Sequence, residues 1–134
     1  MSPLQALLGF AAWTISLIAI VFLYRGARFL GGTPINHWPR GAKPADDAGV
    51  IRRMEDAHAN CLENLPVFAV IVLAAFAMGR LDAIAVLAPW VLYARIAQTA
   101  AHLSGVGRPN VFMRACFWNV QLALFFWMLV KLLA

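Results

Sequence analysis

Charge is scarce in this chain. Only 13% of its 134 residues are charged, against 63% that are hydrophobic, and the mean hydropathy is +0.75. That balance excludes a soluble domain, which at this size would need a mostly polar surface. Cysteine is scarcer still. Cys61 and Cys116 both fall inside apolar stretches with no second Cys or His at metal-ligand spacing, so no disulfide framework and no metal site is expected. The N-terminus lacks a basic n-region, and its apolar run is too long for a signal-peptide core, so the first stretch is expected to stay as an uncleaved span. There is no low-complexity tract and no internal repeat, which weakens a transporter built from two symmetric halves.

What is present is four apolar stretches, each approaching the ~20 residues that cross a ~30 Å hydrocarbon layer. They use nearly the whole chain. The expected fold is therefore all-α, an integral membrane four-helix bundle, with residues 1–134 as one transmembrane domain. The spans fall at about residues 4–24, 50–79, 82–103 and 111–133, with a Gly- and Pro-rich surface loop at 26–49. Pro3 suits a first helical turn, and Arg25 and Arg28 close span one. Asp46 and Asp47 offer a cap to span two, Gly79 its C-terminal stop, Asp82 a cap to span three and Asn110 a cap to span four. The net charge of +5 and the pI of about 10.0 do not point to nucleic acid, because the basic residues lie between spans. Arg25, Arg28, Arg40, Lys43, Arg52, Arg53, Arg108 and Arg114 flank the loops after spans one and three, and only Arg80 and Lys131 lie on the other side. The positive-inside rule then turns both termini away from the cytoplasm.

Function is expected where span two is polar. At roughly 100° per residue, Arg53, Asp56, Asn60, Glu63 and Asn64 share about a third of the helix circumference. An ionisable group at that depth costs at least about 2.5 kcal/mol, so it faces a bundle interior or a wet cavity and has a partner. Measured from the turn near Arg80, Glu63 lies roughly 24 Å and Arg95 roughly 20 Å deep, which makes Arg95 the expected partner of Glu63. Toward the cytoplasm follow Asn60 with Gln98, then Asp56 with His102, with Arg114 entering from span four. Span three carries Arg95, Gln98, Thr99 and His102 on one face, and span four aligns Arg114, Trp118, Gln121 and Phe125. Polar contacts of about 0.6 kcal/mol each are ordinary glue between membrane helices. For Glu63 and Arg95 alone, glue and site contact both stay open, but glue does not require two further arginines at the same rim. His58 points away from this stripe, toward lipid or a neighbouring helix.

The run Asn60-Cys61-Leu62-Glu63-Asn64-Leu65-Pro66, preceded by Ala57, resembles the Asn-x-x-Glu-x-x-Pro signature of the MAPEG family. That family includes microsomal glutathione transferases, prostaglandin E synthase, leukotriene C synthase and the lipoxygenase-activating protein. Ala94-Arg95-Ile96, then Thr99, Ala101, Leu103 and Pro109-Asn110, is similar to its third span and following loop. The resemblance implies a homotrimer with glutathione bound near the cytoplasmic side between subunits. Asn60 and Glu63 match positions that contact glutathione, Arg95 matches the third-span arginine, and Arg53 and Gln98 join them as candidate glutathione-binding residues. The departures are Asp56 where an arginine often precedes the Asn, Gln98 and His102 at tyrosine or histidine positions, and an arginine displaced to Arg114 with Val111 where some members have it. This pattern looks like a bacterial branch. The expected activity is a glutathione-dependent inner-membrane transferase or peroxidase acting on lipophilic electrophiles from the bilayer, with Arg114 stabilising the thiolate and His102 orienting it. The alternatives are a non-catalytic lipid-binding or scaffolding protein of the same family, a haem protein using His58 and His102, and a small transporter using Glu63.

Overall fold

The computed structural model describes residues 1–39, 41 and 43–134. The helices are α1 (Pro3–Leu30), α2 (Gly49–Ala77), α3 (Leu81–Ile84), α4 (Ala88–Leu103) and α5 (Arg108–Leu133), with one 3-10 turn at Ile35–His37 and no strand among the described residues. α1, α2, the α3–α4 segment and α5 are each long and apolar enough to cross a membrane, so the all-α four-span architecture is observed.

Where the helices end differs from expectation for physical reasons. Ser2 and Gln5 form a reciprocal capping box around Pro3. At the other end α1 runs past Tyr24, so Arg25 and Arg28 lie inside it instead of closing it. A single interior glycine, Gly26, costs only about 1 kcal/mol. The stop comes where Gly31 and Gly32 adjoin, Gly32 at φ +100°. α2 begins behind Ala48 with no side-chain cap. Asp46 and Asp47 are engaged elsewhere: Arg28 donates to Asp46 at 2.6 Å and to Asp47 at 2.5 Å, and the Trp38 indole donates to Asp47 at 3.0 Å. Charge-assisted bonds to a guanidinium are about twice as strong as neutral ones and prevail over a helix N–H.

This clamp is sensitive to acid. The Arg28 guanidinium beside Asp46 holds its carboxyl below the usual carboxylate range. A carboxyl depressed in the fold contributes stability above its unfolded value near pH 4, and that contribution is lost as pH falls through the lower folded value. Limited proteolysis should therefore find the α1–α2 loop protected at about pH 6 and opened at about pH 3. Equal resistance at both would show that other contacts hold it.

α2 ends as the sequence predicts, with Gly79 at φ +66°, Arg80 N–H donating to Ala75 O at 2.8 Å and Gly79 N–H to Phe76 O at 3.0 Å. Span three is broken. Pro89 lacks an N–H and sits in the first turn of α4, where the missing donor is harmless, so α3 is a separate short turn capped by Arg80 with Asp82 inside it. The Arg80 guanidinium also donates to the carbonyls of Lys131 at 3.0 Å and Leu132 at 2.9 Å, closing the end of α5. α5 starts at Arg108 behind Gly107, and Asn110, instead of capping it, reaches back to Ser104 Oγ at 2.6 Å.

α1 packs on α2 and α4 on α5, while α1 and α2 also touch α4. Phe10, Phe68 and Phe125 stack through the middle, with centroids 5.9 and 6.1 Å apart. His58 meets the Thr14 carbonyl at 3.0 Å, the neighbour-helix contact expected of it, and the Trp13 indole donates to Thr99 Oγ1 at 3.3 Å. These ties set the heights of α2 and α4, which brings Asn60 level with Gln98.

Candidate functional site

The polar stripe of α4 faces inward along its whole length: Arg95, Gln98, Thr99 and His102 are all buried. Gln98 turns toward a cavity of about 240 Å³ between α2, α4 and α5, lined by Asn60, Gln98, Val111, Arg114, Ala115 and Trp118. Three of the seven candidate residues, Asn60, Gln98 and Arg114, thus meet at one place. Gln98 Nε2 lies 3.4 Å from the Arg114 carbonyl, and its Oε1 is buried without a partner among the described residues. A buried acceptor left open is rare enough to call for a donor. His102 sits one turn further along α4 and is also buried.

The other candidates lie elsewhere. Arg53 donates Nε to the Leu103 carbonyl at 3.0 Å and so closes the last turn of α4. Asp56 forms an ion pair with Lys43. Glu63 is exposed and makes no ion pair within the protomer among the described residues. Arg95, at 1% exposure, instead donates to Gln121 Oε1, lies over the Phe10 ring at 5.3 Å, and Gln121 in turn donates to the Val91 carbonyl at 3.1 Å. The expected Glu63–Arg95 pair is therefore replaced by an Arg95–Gln121 pair. Equal depth does not secure a contact, because Glu63 is about 200° around α2 from the buried Cys61. Gln121 is the residue the sequence reading missed as a partner. Its signal was its place in the stripe of Arg114, Trp118 and Phe125.

A larger cavity of about 590 Å³ opens on the opposite side of α2, lined by Ile18, Arg25, Trp38, Lys43, Glu55 and His58 among others, with an Arg25–Glu55 ion pair across it. His37, Asp46 and Asp47 bring possible metal-ligand atoms within 4.8 Å of one another. Arg28 already supplies the positive charge there, and both carboxylates are bonded to it. Cys61 is buried and Cys116 half-buried, both unpaired.

Neither the curated proteins nor the solved structures contain a significant match to this chain. The family description that fits the sequence and this four-span arrangement is that of the MAPEG family, matched over residues 3–134, and the chain belongs to that family.

Proposed function

We propose that the protein is a glutathione-dependent transferase or peroxidase of the cell inner membrane, acting as a homotrimer on lipophilic electrophiles that enter from the bilayer. Membership of the family supports a membrane activity of the glutathione-related transferase or peroxidase type, and its members generally use glutathione. The observation that carries the reading is the cavity that gathers Asn60, Gln98 and Arg114 from three helices. Glutathione offers peptide N–H donors for the open Gln98 Oε1, an ammonium for Glu63, and carboxylates and a thiolate for a guanidinium. Within the cavity the thiolate falls to Arg114, while Arg53 and Arg95 take part through the helix end and the packing they hold.

Two features support the trimer. Glu63 is exposed on α2 at membrane depth, where leaving it to lipid costs at least about 2.5 kcal/mol. A closed ring joins two different faces of each copy. This protomer has two polar surfaces on opposite sides of α2, one with Asn60 and Arg114 and one with Arg25, Lys43 and His58. Only Arg80 and Lys131 lie at the end of the bundle that carries both termini, against the many Lys and Arg at the other end, and this asymmetry supports placing both termini on the periplasmic face.

Calorimetry on the detergent-purified protein should show glutathione binding that Glu63→Gln weakens about tenfold, a loss of roughly 1.4 kcal/mol. Native mass spectrometry of the same sample should show a trimer. Absence of any binding heat would overturn the glutathione reading, and a monomer would overturn the assembly. The second reading, a lipid-binding protein without turnover, is favoured by one observation: Asp56 stands where relatives often carry arginine, and it is ion-paired to Lys43. Binding of glutathione with no thiol conjugation of any electrophile would select it.

A further inference from the structure

We propose that Gln98 selects the class of thiol this site accepts, taking those in which the sulfur sits on an N-acylated cysteine. Its Oε1 receives the amide N–H of that cysteine while Arg114 faces the sulfur. The inference rests on the reading of the cavity between α2, α4 and α5 as a thiol site, and it deepens that reading to a chemical feature of the thiol.

A glutamine offers donors at one end of its amide and an acceptor at the other, and a neighbour settles which end is free. Here Nε2 lies 3.4 Å from the Arg114 carbonyl, an oxygen that only accepts. Turning the amide over would set oxygen against oxygen. Oε1 is therefore the end left over, buried with no partner among the described residues, on a side chain that is 6% exposed and lines the cavity. Neither Asn60 nor the Arg114 guanidinium donates to it, although both residues border the same space. Val111, Ala115 and Trp118 form the rest of the lining, and beside such groups an unmade hydrogen bond is costly and a made one strong. The occupant must then bring a donor within reach of a group that a guanidinium attracts. In an N-acylated cysteine the amide N–H and the sulfur are separated only by Cα and Cβ, so one residue meets both demands. The cysteine of glutathione is of this kind, its nitrogen carrying the γ-glutamyl group. A free aminothiol brings an ammonium beside the sulfur instead, and Arg114 opposes that charge. A thiol ester-linked at the same place brings no hydrogen at all.

The test uses glutathione and an analogue in which an ester oxygen replaces the cysteinyl N–H, each titrated calorimetrically into the detergent-purified protein. The wild type should bind glutathione about tenfold more tightly than the ester. Gln98→Met keeps an unbranched side chain without the acceptor, and it should bind the two alike, at about the wild-type affinity for the ester. Asn60→Leu should weaken both ligands and preserve the preference. A second readout follows the bond itself: with glutathione isotope-labelled at the cysteinyl nitrogen, the amide proton resonance should move downfield on binding to the wild type and not on binding to Gln98→Met. Equal affinities in the wild type, or a preference that survives in Gln98→Met, would overturn the proposal and leave the glutathione reading standing. The wild-type comparison decides even where the variant does not fold. Equal affinities together with a Gln98→Met trimer that falls apart would assign the donor to a neighbouring copy and overturn the proposal in the same way. No heat from glutathione itself would overturn the thiol reading instead.

Discussion

Gln121→Leu is expected to destabilise the fold by about 3 kcal/mol, the upper end for losing a buried hydrogen bond to a charged group. Gln121 is 0% exposed and is the acceptor for an Arg95 guanidinium that has no carboxylate within bonding distance. Without it the cation keeps only the Phe10 ring, and Arg95 Nε is already without a partner. Arg95→Leu removes the cation and leaves the amide oxygen of Gln121 open, which costs about 1–3 kcal/mol. The double variant removes both polar groups and replaces them with apolar ones, a change that is often close to neutral. Unfolding in a denaturing detergent, followed by near-ultraviolet circular dichroism, should therefore show the double variant more stable than the sum of the singles by at least about 1.5 kcal/mol. Additive losses would mean that the two side chains act separately.

That pair also shows how far the sequence could be read. The four spans were legible because crossing a membrane demands only length and apolarity, and the inward face of α4 was legible because Arg95, Gln98, Thr99 and His102 repeat at helical spacing over two turns. The meeting of Asn60, Gln98 and Arg114 was legible in the same way, from their common height. Glu63 was given the wrong partner because depth fixes height but not direction. The buried side of α2 carries Met54, Ala57 and Cys61, and these are apolar residues that a search for a polar stripe passes over. Helix boundaries failed where a competing partner was invisible in one dimension. Nothing near Asp46 and Asp47 announces that Arg28, a full loop away in sequence, takes both. The break between α3 and α4 had a visible cause in Pro89, but bending and breaking a helix look alike in sequence.

Most of the arginines are held by partners within the protomer. Arg25 is paired with Glu55, Arg28 with Asp46 and Asp47, Arg53 with the end of α4, Arg80 with the end of α5, and Arg95 with Gln121. Arg52 and Arg108 do not line the cavity. Arg114 does, and its guanidinium has no hydrogen-bond or ion-pair partner among the described residues.

Arg114→Leu is accordingly expected to cut the thiol-conjugation rate at neutral pH by about 25-fold while glutathione still binds. A free thiol with a pKa near 8.5 is only a few per cent ionised at pH 7, and lowering that value by about two units makes the thiolate the major form. The shift requires roughly 2.7 kcal/mol of preferential thiolate stabilisation, which a guanidinium in a partly dehydrated cavity can supply. The sign of the pH dependence follows. Activity tracks the thiolate, so the wild-type rate should rise through about pH 6.5 and level off, whereas the Arg114→Leu rate should keep rising toward about pH 8.5 and approach wild type only there. Arg114→Lys keeps the charge without the planar fork and should restore part of the shift. His102→Gln, if His102 orients the thiolate without ionising it, should lower kcat and leave the ultraviolet thiolate absorbance of bound glutathione unchanged. An arginine that only binds lipid phosphate at the membrane rim predicts the opposite for Arg114→Leu: unchanged thiolate absorbance and an unchanged pH profile in the glutathione-bound protein, a result that would remove Arg114 from the chemistry.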